Sequence, residues 1–268
     1  AEILLGATEQ ASEMQGQLVP DNPGTAIDLF AGALFPGLLL VFLYLSYQII
    51  IAFINPSSSP PLVSHQENND EDTNVFDLIK IISAPLILII IVLGSILTGI
   101  ATPTESAAVG AVGATVIAIV SNQFTFQILK TVSQETTKIS SMVFIILIGA
   151  SMFSLVFRGF GGDIVVEEFL MNLPGGAISA MLIVMAIIFF LGFFLDFIEI
   201  IFVVVPIVSP ILIAMGFNPL WLGVMIGINL QTSFLTPPFG FSLFYLRGVA
   251  PKEVKTKDIY LGVLPLSL

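Results

Sequence analysis

The 268 residues include no cysteine and one histidine. That excludes disulfides, thiol catalysis and cysteine-based metal sites, and leaves no trace of the redox compartment. Charge is almost as scarce: 10% of residues are Asp, Glu, Lys or Arg, against roughly 25% in soluble domains. None lies between Asp28 and Glu67, between Lys138 and Arg158, or between Glu199 and Arg247. Eight bases against nineteen acids form no basic stripe, which argues against a nucleic-acid partner. The single His65 sits in an acidic loop and is assigned no role. An intramembrane enzyme would need a nucleophile with its base, or a metal cluster. Only Asp196 paired with another acid could serve, so the chain is not read as an enzyme.

What the chain has in excess is apolar length. Hydrophobic residues make up 56% and the mean hydropathy is +1.03. A hydrocarbon core about 30 Å thick takes roughly 20 apolar helical residues, and several runs supply them. The runs are continuous, not the alternating segments of an outer-membrane barrel. The chain therefore reads as an all-α polytopic membrane protein with the lipid bilayer as its main solvent. The net charge of −11 comes largely from acids in tails and loops, such as Glu9, Glu13, Asp70, Glu71 and Asp72, which read as solvated.

Residues 1–28 are polar and Gln-rich and read as a loop. Residues 29–54 read as a connecting transmembrane helix with an apolar core from Leu34 to Ile54. Residues 55–80 form a Pro/Ser-rich and then acidic linker. Two apolar helices, Ile81–Ile100 and Pro103–Val120, come next, then Phe124–Lys138 as a helix lying in the interface. Ile139–Phe157 is a clean span and Phe160–Asn172 a short surface element. Residues 177–215 are apolar in two short limbs around Gly192-Phe193-Phe194-Leu195-Asp196-Phe197-Ile198-Glu199, which suggests a re-entrant hairpin. In residues 219–246 the stretch Gln231–Gly240 interrupts the apolar run with hydroxyls and two prolines. Regular helix cannot pass through Pro237 and Pro238, and irregular backbone at that depth survives only where protein or water satisfies it. The chain opens on Ala1 without a basic leader and ends as another apolar segment begins, which reads as a fragment.

Arg247, Lys252, Lys255 and Lys257 cluster after the interrupted span, which places that loop in the cytoplasm. Counting back puts Lys80, Lys130 and Lys138 inside as well, and only Arg158 outside. The 55–80 linker is then cytoplasmic.

Three motifs carry candidate chemistry. Thr102-Pro103-Thr104-Glu105 matches a helix-start capping box, and Thr104 and Glu105 are also candidates for the transport path. Asp196 and Glu199 lie three apart, hence on one helical face, and an intramembrane carboxylate is expensive to keep. Thr232, Ser233 and Thr236 lie beside the break before Pro237. The first half of a broken helix ends in carbonyls suited to Na⁺, and the second begins with donors suited to a carboxylate.

Three stretches bear a family resemblance. Gly99-Ile100-Ala101-Thr102-Pro103-Thr104-Glu105-Ser106-Ala107-Ala108-Val109-Gly110-Ala111 resembles a signature of the large, DctM-type membrane subunit of TRAP (tripartite ATP-independent periplasmic) transporters. Asn229–Phe241 and Leu243–Pro251 resemble its mannitol/chloroaromatic branch, and Leu191–Asp196 is similar to its outer hairpin tip. The resemblance implies a Na⁺-coupled, elevator-type importer of organic acids. It makes 81–268 the second of two inverted repeats, with the outer hairpin at 177–215, the broken helix at 219–246 and a missing C-terminal end. It implies a Na⁺ site at Gly192, Ser233, Thr236 and Phe239, mostly through backbone oxygens. Many members carry Gly where this chain has Ser233. Asp196, Thr232, Thr104 and Glu105 are the expected substrate and ion pathway. The implied partners are a small four-helix membrane subunit and a periplasmic substrate-binding protein, and the implied place is the bacterial inner membrane. A channel, another ion-coupled elevator transporter or a non-transporting scaffold are the competing readings. A hairpin paired with a broken span favours alternating access over a channel, and a scaffold has no need of Thr232–Gly240.

Overall fold

A computed structural model describes residues 2–16, 24–56, 75–236, 242–243, 246–247, 250 and 254–267. Phe239, Pro237, Pro238 and most of the second limb of the broken helix lie outside the described residues, as does linker 57–74 with His65. Among the described residues every regular element is helical. The chain falls into two compact units, residues 34–137 in one and residues 1–33 with 138–268 in the other.

In the unit of residues 34–137, helix α2 (Ala26–Ile54) enters from the other unit and runs 29 residues with no buried side chain. It starts three residues before the expected boundary because Thr25 and Asp28 cap it reciprocally. Asp28 Oδ2 accepts from the Thr25 amide at 2.8 Å, and the Asp28 amide donates to Thr25 Oγ1 at 3.2 Å. Helices α3 (Val75–Leu97) and α4 (Pro103–Val120) pack together. Small residues permit the approach: a Cβ on Gly110 would stand 3.2 Å from Val92, and one on Gly113 would overlap Leu88. Ser106, fully buried, shares a 2.8 Å hydrogen bond with Ser95 across this contact. The capping box at the start of α4 is complete. Glu105 Oε2 accepts from the Thr102 amide at 2.8 Å, and the Glu105 amide donates to Thr102 Oγ1 at 3.3 Å.

Helix α5 (Phe126–Gly159) corrects one expectation. The interface helix and the following span are one helix of 34 residues, about 50 Å long at 1.5 Å per residue. No proline, glycine or cap divides Lys138 from Ile139, so nothing in the backbone stops the helix where the side chains turn from polar to apolar.

In the other unit, the polar start is not a loop. Helix α1 (Glu2–Gln15) buries Leu4, Ala7, Thr8, Ala11 and Ser12, a stripe at spacings of three and four. Its main neighbour is α8 (Phe197–Ala214). The buried hydroxyls satisfy themselves within the helix: Thr8 Oγ1 donates to the Leu4 carbonyl at 2.8 Å and Ser12 Oγ to the Thr8 carbonyl at 2.9 Å. Gln15 Nε2 ties the end of α1 to the Ala214 carbonyl at 2.6 Å. Helices α6 (Gly162–Met171), α7 (Gly176–Leu191), α8 and α9 (Pro219–Leu235) share one apolar core, centred on Val184, Ile188, Ile200, Leu212, Leu222 and Ile226. Between α8 and α9 the chain turns at Gly216, φ +101°, where the Phe217 amide reaches the Leu212 carbonyl at 3.2 Å. Asn218 then caps α9, its Oδ1 accepting from the Trp221 amide at 3.1 Å, with Pro219 in the first helical position. A last helix, α10 (Thr256–Ser267), packs on α9.

Helix α8 carries a π-helical stretch at Ile200–Val204, directly before Pro206. Pro206 cannot donate to the carbonyl four residues back and its ring crowds that group, and the wider turn relieves both. Ser209, between Pro206 and Pro210, is fully buried and its hydroxyl has no hydrogen-bond partner among the described residues. Ser209→Ala is therefore expected to leave the melting temperature in detergent unchanged or to raise it, by up to about 1–3 kcal/mol of stability. A clear drop would show that the hydroxyl has a partner.

Candidate functional site

The site forms where α7 and α9 both end. The two helices pack side by side, with contacts that advance in the same direction: Asn229 Nδ2 donates to the Met185 carbonyl at 2.9 Å, and further along Gly192 meets Ser233. Both C-termini thus converge on one place. Each brings roughly half a negative charge of helix dipole.

Gly192 is buried with φ −64° and ψ −9°, ordinary helical values. Its glycine is required by space and not by conformation. A Cβ there would overlap the Ser233 hydroxyl outright, lie 3.0 Å from Ser233 Cβ and 3.4 Å from the Ile188 carbonyl. Ser233 is fully buried, and its hydroxyl has no hydrogen-bond partner among the described residues. A buried orphan hydroxyl at two converging negative helix ends, with backbone pressed against it, is a neutral oxygen environment that favours a cation.

The break in the last span begins later than its polarity suggests. Gln231 to Leu235 are helical, and the helix stops at Thr236. The hydroxyls here fold back on their own helix: Thr232 Oγ1 donates to the Ile228 carbonyl at 2.9 Å and Thr236 Oγ1 to the Thr232 carbonyl at 2.9 Å. Thr236 is extended, φ −88° and ψ 125°, because the residue before a proline is pushed out of the helical region. The Thr236 hydroxyl hydrogen is spent on its own helix, so only its oxygen lone pairs remain for a ligand.

Asp196 caps α8, its Oδ1 accepting from the Phe197 amide at 2.7 Å. The carboxylate sits at the positive end of that helix. Asp196 and Glu199 are half-buried and line a cavity of about 890 Å³ with Gln231, Phe234, Met142 and Ser242. That volume suits a small solute.

Of the residues singled out from sequence, Gly192 and Ser233 come into contact, and Thr232 and Thr236 lie on the same last turn of α9. Asp196 lines the adjoining cavity. Phe239 lies outside the described residues. Thr104 and Glu105 belong to the unit of residues 34–137, where the Glu105 carboxylate is engaged by the cap. Two residues were not assigned from sequence. Asn229 bridges α9 to α7, and a lone amide in an apolar run was its signal. Gln231 lines the cavity and was taken as part of the break.

A family model described as the tripartite ATP-independent periplasmic transporter, DctM component, matches residues 24–268. The chain is 29% identical over 265 residues to the C4-dicarboxylate TRAP transporter large permease protein DctM of Vibrio cholerae, covering 90% of this chain and 57% of that protein. It is 26% identical over 272 residues to the sialic acid TRAP transporter large permease protein SiaM of the same organism, covering 97% and 62%. To the ectoine TRAP transporter large permease protein TeaC of Halomonas elongata it is 27% identical over 223 residues, covering 82% and 51%. The chain thus spans between half and two thirds of the length of these relatives, which are permeases and not enzymes. Among the described residues four helices are long and apolar enough to cross a bilayer, and with bacterial relatives of this kind it is a multi-pass protein of the bacterial inner membrane. The match over residues 24–268, together with these relatives, means that the chain belongs to the DctM component family of the tripartite ATP-independent periplasmic transporters.

Proposed function

We propose that this chain is part of the large permease subunit of a Na⁺-coupled, binding-protein-dependent secondary transporter that imports organic acids or similar small solutes. Na⁺ binds where the α7–α8 tip meets the end of α9, held by the Ser233 hydroxyl, the Thr236 oxygen atoms and backbone oxygens around Gly192, with Phe239 completing the set. The observation that carries this reading is the buried Ser233 hydroxyl, without a partner among the described residues and pressed by Gly192. Oxygen-only, neutral donors suit an alkali cation. The cavity beside it, lined by Asp196 and Gln231, takes the solute. Bound Na⁺ holds the tip and α9 together, so that hairpin and broken helix move as one body. The mannitol/chloroaromatic-like motifs bear on the branch, and the names of the relatives span a dicarboxylate, a sialic acid and ectoine, so the solute is not set by family membership. A small four-helix membrane subunit and a periplasmic substrate-binding protein are the expected partners.

The test uses the full-length protein with both partners in proteoliposomes, with uptake measured against an imposed Na⁺ gradient. Uptake is expected to rise with external Na⁺ and to vanish when K⁺ replaces it. Thr236→Val keeps the side-chain volume and removes one ligand oxygen. It is expected to raise half-saturating Na⁺ by roughly three- to tenfold, the effect of about 1 kcal/mol in binding. Uptake indifferent to Na⁺ in the unmutated protein would reject the reading.

A further inference from the structure

Asn229 is a half-buried amide in an apolar helix, and nothing in the transport role just described uses it. Its one interhelical bond, Nδ2 to the Met185 carbonyl at 2.9 Å, joins α9 to α7 across 44 residues of sequence. We propose that Asn229 is the positioning residue of the cation site, fixing the register of α7 on α9 so that the Gly192 backbone stays against Ser233. This rests on the Na⁺ reading above.

Helix α7 lacks polar side chains along this seam. Beyond Ser179 its side chains are all apolar, from Ala180 to Leu191. The fit of Leu, Ile, Val and Met side chains sets the register of such helices, but dispersion has little direction of its own. A hydrogen bond adds a directional fixed point to it. The only polar groups α7 offers there are backbone carbonyls, each with a second lone pair. A side chain with a spare N–H must supply the other half, and an amide has two. Asn229 lies one helical turn before Ser233, on the same face of α9. Met185 lies two turns before Gly192 on α7. The bond and the glycine contact are thus two points along one seam.

The second point depends on the first. Gly192 stands so close to Ser233 that no Cβ fits between them. A shift of a few tenths of an ångström along the seam would open or close the oxygen cradle. Asn229 therefore acts on the cation through Met185, α7 and Gly192, and it is not a ligand itself.

The test measures Na⁺ dependence of uptake, maximal rate at saturating Na⁺ and melting temperature in the reconstituted full-length protein. Asn229→Leu keeps the shape and removes the donor. It is expected to raise half-saturating Na⁺ about three- to tenfold while maximal rate and melting temperature stay near those of the parent. Asn229→Gln keeps an amide donor and should recover most of the affinity. If the Leu variant does not assemble, Asn229→Thr, which keeps a shorter donor, is expected to give an intermediate shift on the same axis. In a Ser233→Ala background the Leu substitution should add much less than it does alone, because the two act on one site. A fall in melting temperature and maximal rate with Na⁺ affinity unchanged would make Asn229 a purely structural bond and overturn the proposal. So would full additivity with Ser233→Ala. If Gly192→Val and Thr236→Val shift the Na⁺ dependence and Asn229→Leu does not, the role of Asn229 fails alone. If none of the three shifts it, the Na⁺ reading fails first.

Discussion

Gly192→Val in the full-length protein is expected to raise the Na⁺ concentration for half-maximal uptake by roughly tenfold or more, at least about 1.4 kcal/mol of binding. The cause is steric. At ordinary helical φ and ψ valine meets no backbone objection, so the effect is not one of conformational strain. Its Cβ, however, would occupy the place of the Ser233 hydroxyl and come within 3.0 Å of Ser233 Cβ. Either α7 backs away from α9 or Ser233 turns aside, and in both cases the oxygen cradle opens. Gly192→Ala should act in the same direction more weakly than Val. Exchanging the bulk, Gly192→Ala with Ser233→Gly, should restore the close approach and recover part of the affinity that Gly192→Ala loses. Docking of the binding protein and expression should persist. Unchanged Na⁺ dependence with full uptake in Gly192→Val would place the cation elsewhere and leave Thr236–Pro237 as a plain proline break.

Ala11→Phe is expected to destabilise the protein by about 1–3 kcal/mol or to prevent assembly, because overpacking a tight interface forces neighbours off their rotamers. Ala11 is 2% exposed and Ala7 3%. Both lie in the stripe of small side chains on the buried face of α1, which packs mainly against α8. Thermal unfolding in detergent measures the effect, with Glu9→Phe as the control because Glu9 faces outward on the same helix. Equal melting temperatures for the two variants would mean that α1 is not docked. The result bears on transport as well. α8 is capped by Asp196, close in sequence to Gly192 at the end of α7, so on the proposed cation site a loosened α1 should also broaden the Na⁺ response.

The membrane class and most helices were legible because long apolar runs without charge have few other fates in water or lipid. Caps were legible where both partners are polar and three apart, as in Thr102 and Glu105. The same rule would have moved the start of α2 to Ala26, since Thr25 and Asp28 repeat the pattern. Composition hid α1. Its glutamates and glutamines read as a loop, while the burying face is, apart from Leu4, made of alanine, serine and threonine, which carry little hydropathy. The polarity of Gln231 to Leu235 read as a break, yet that stretch is helical with its Thr232 hydroxyl turned back to the Ile228 carbonyl, and the helix stops only at Thr236, the residue before Pro237. The same blindness split α5 into two elements, although a change from polar to apolar side chains does not by itself interrupt a backbone.

The sequence by itself determined that the chain lives in a bilayer, that regular helix cannot pass Pro237, and that Asp196, Thr232, Ser233 and Thr236 are polar groups to watch, all from local chemistry: hydropathy, the missing amide of proline, and the cost of polar groups in lipid. Gly192 and Phe239 entered only through the family resemblance. Only the tertiary structure decided which of them meet. The ends of α7 and α9 converge on Gly192 and Ser233, and Asn229 reaches Met185 across 44 residues. The Ser233 hydroxyl is without a partner among the described residues because packing has removed water from it. Contacts of that kind depend on the rotation and register of whole helices. Those are set by the fit of many apolar side chains at once, which no short stretch of sequence encodes.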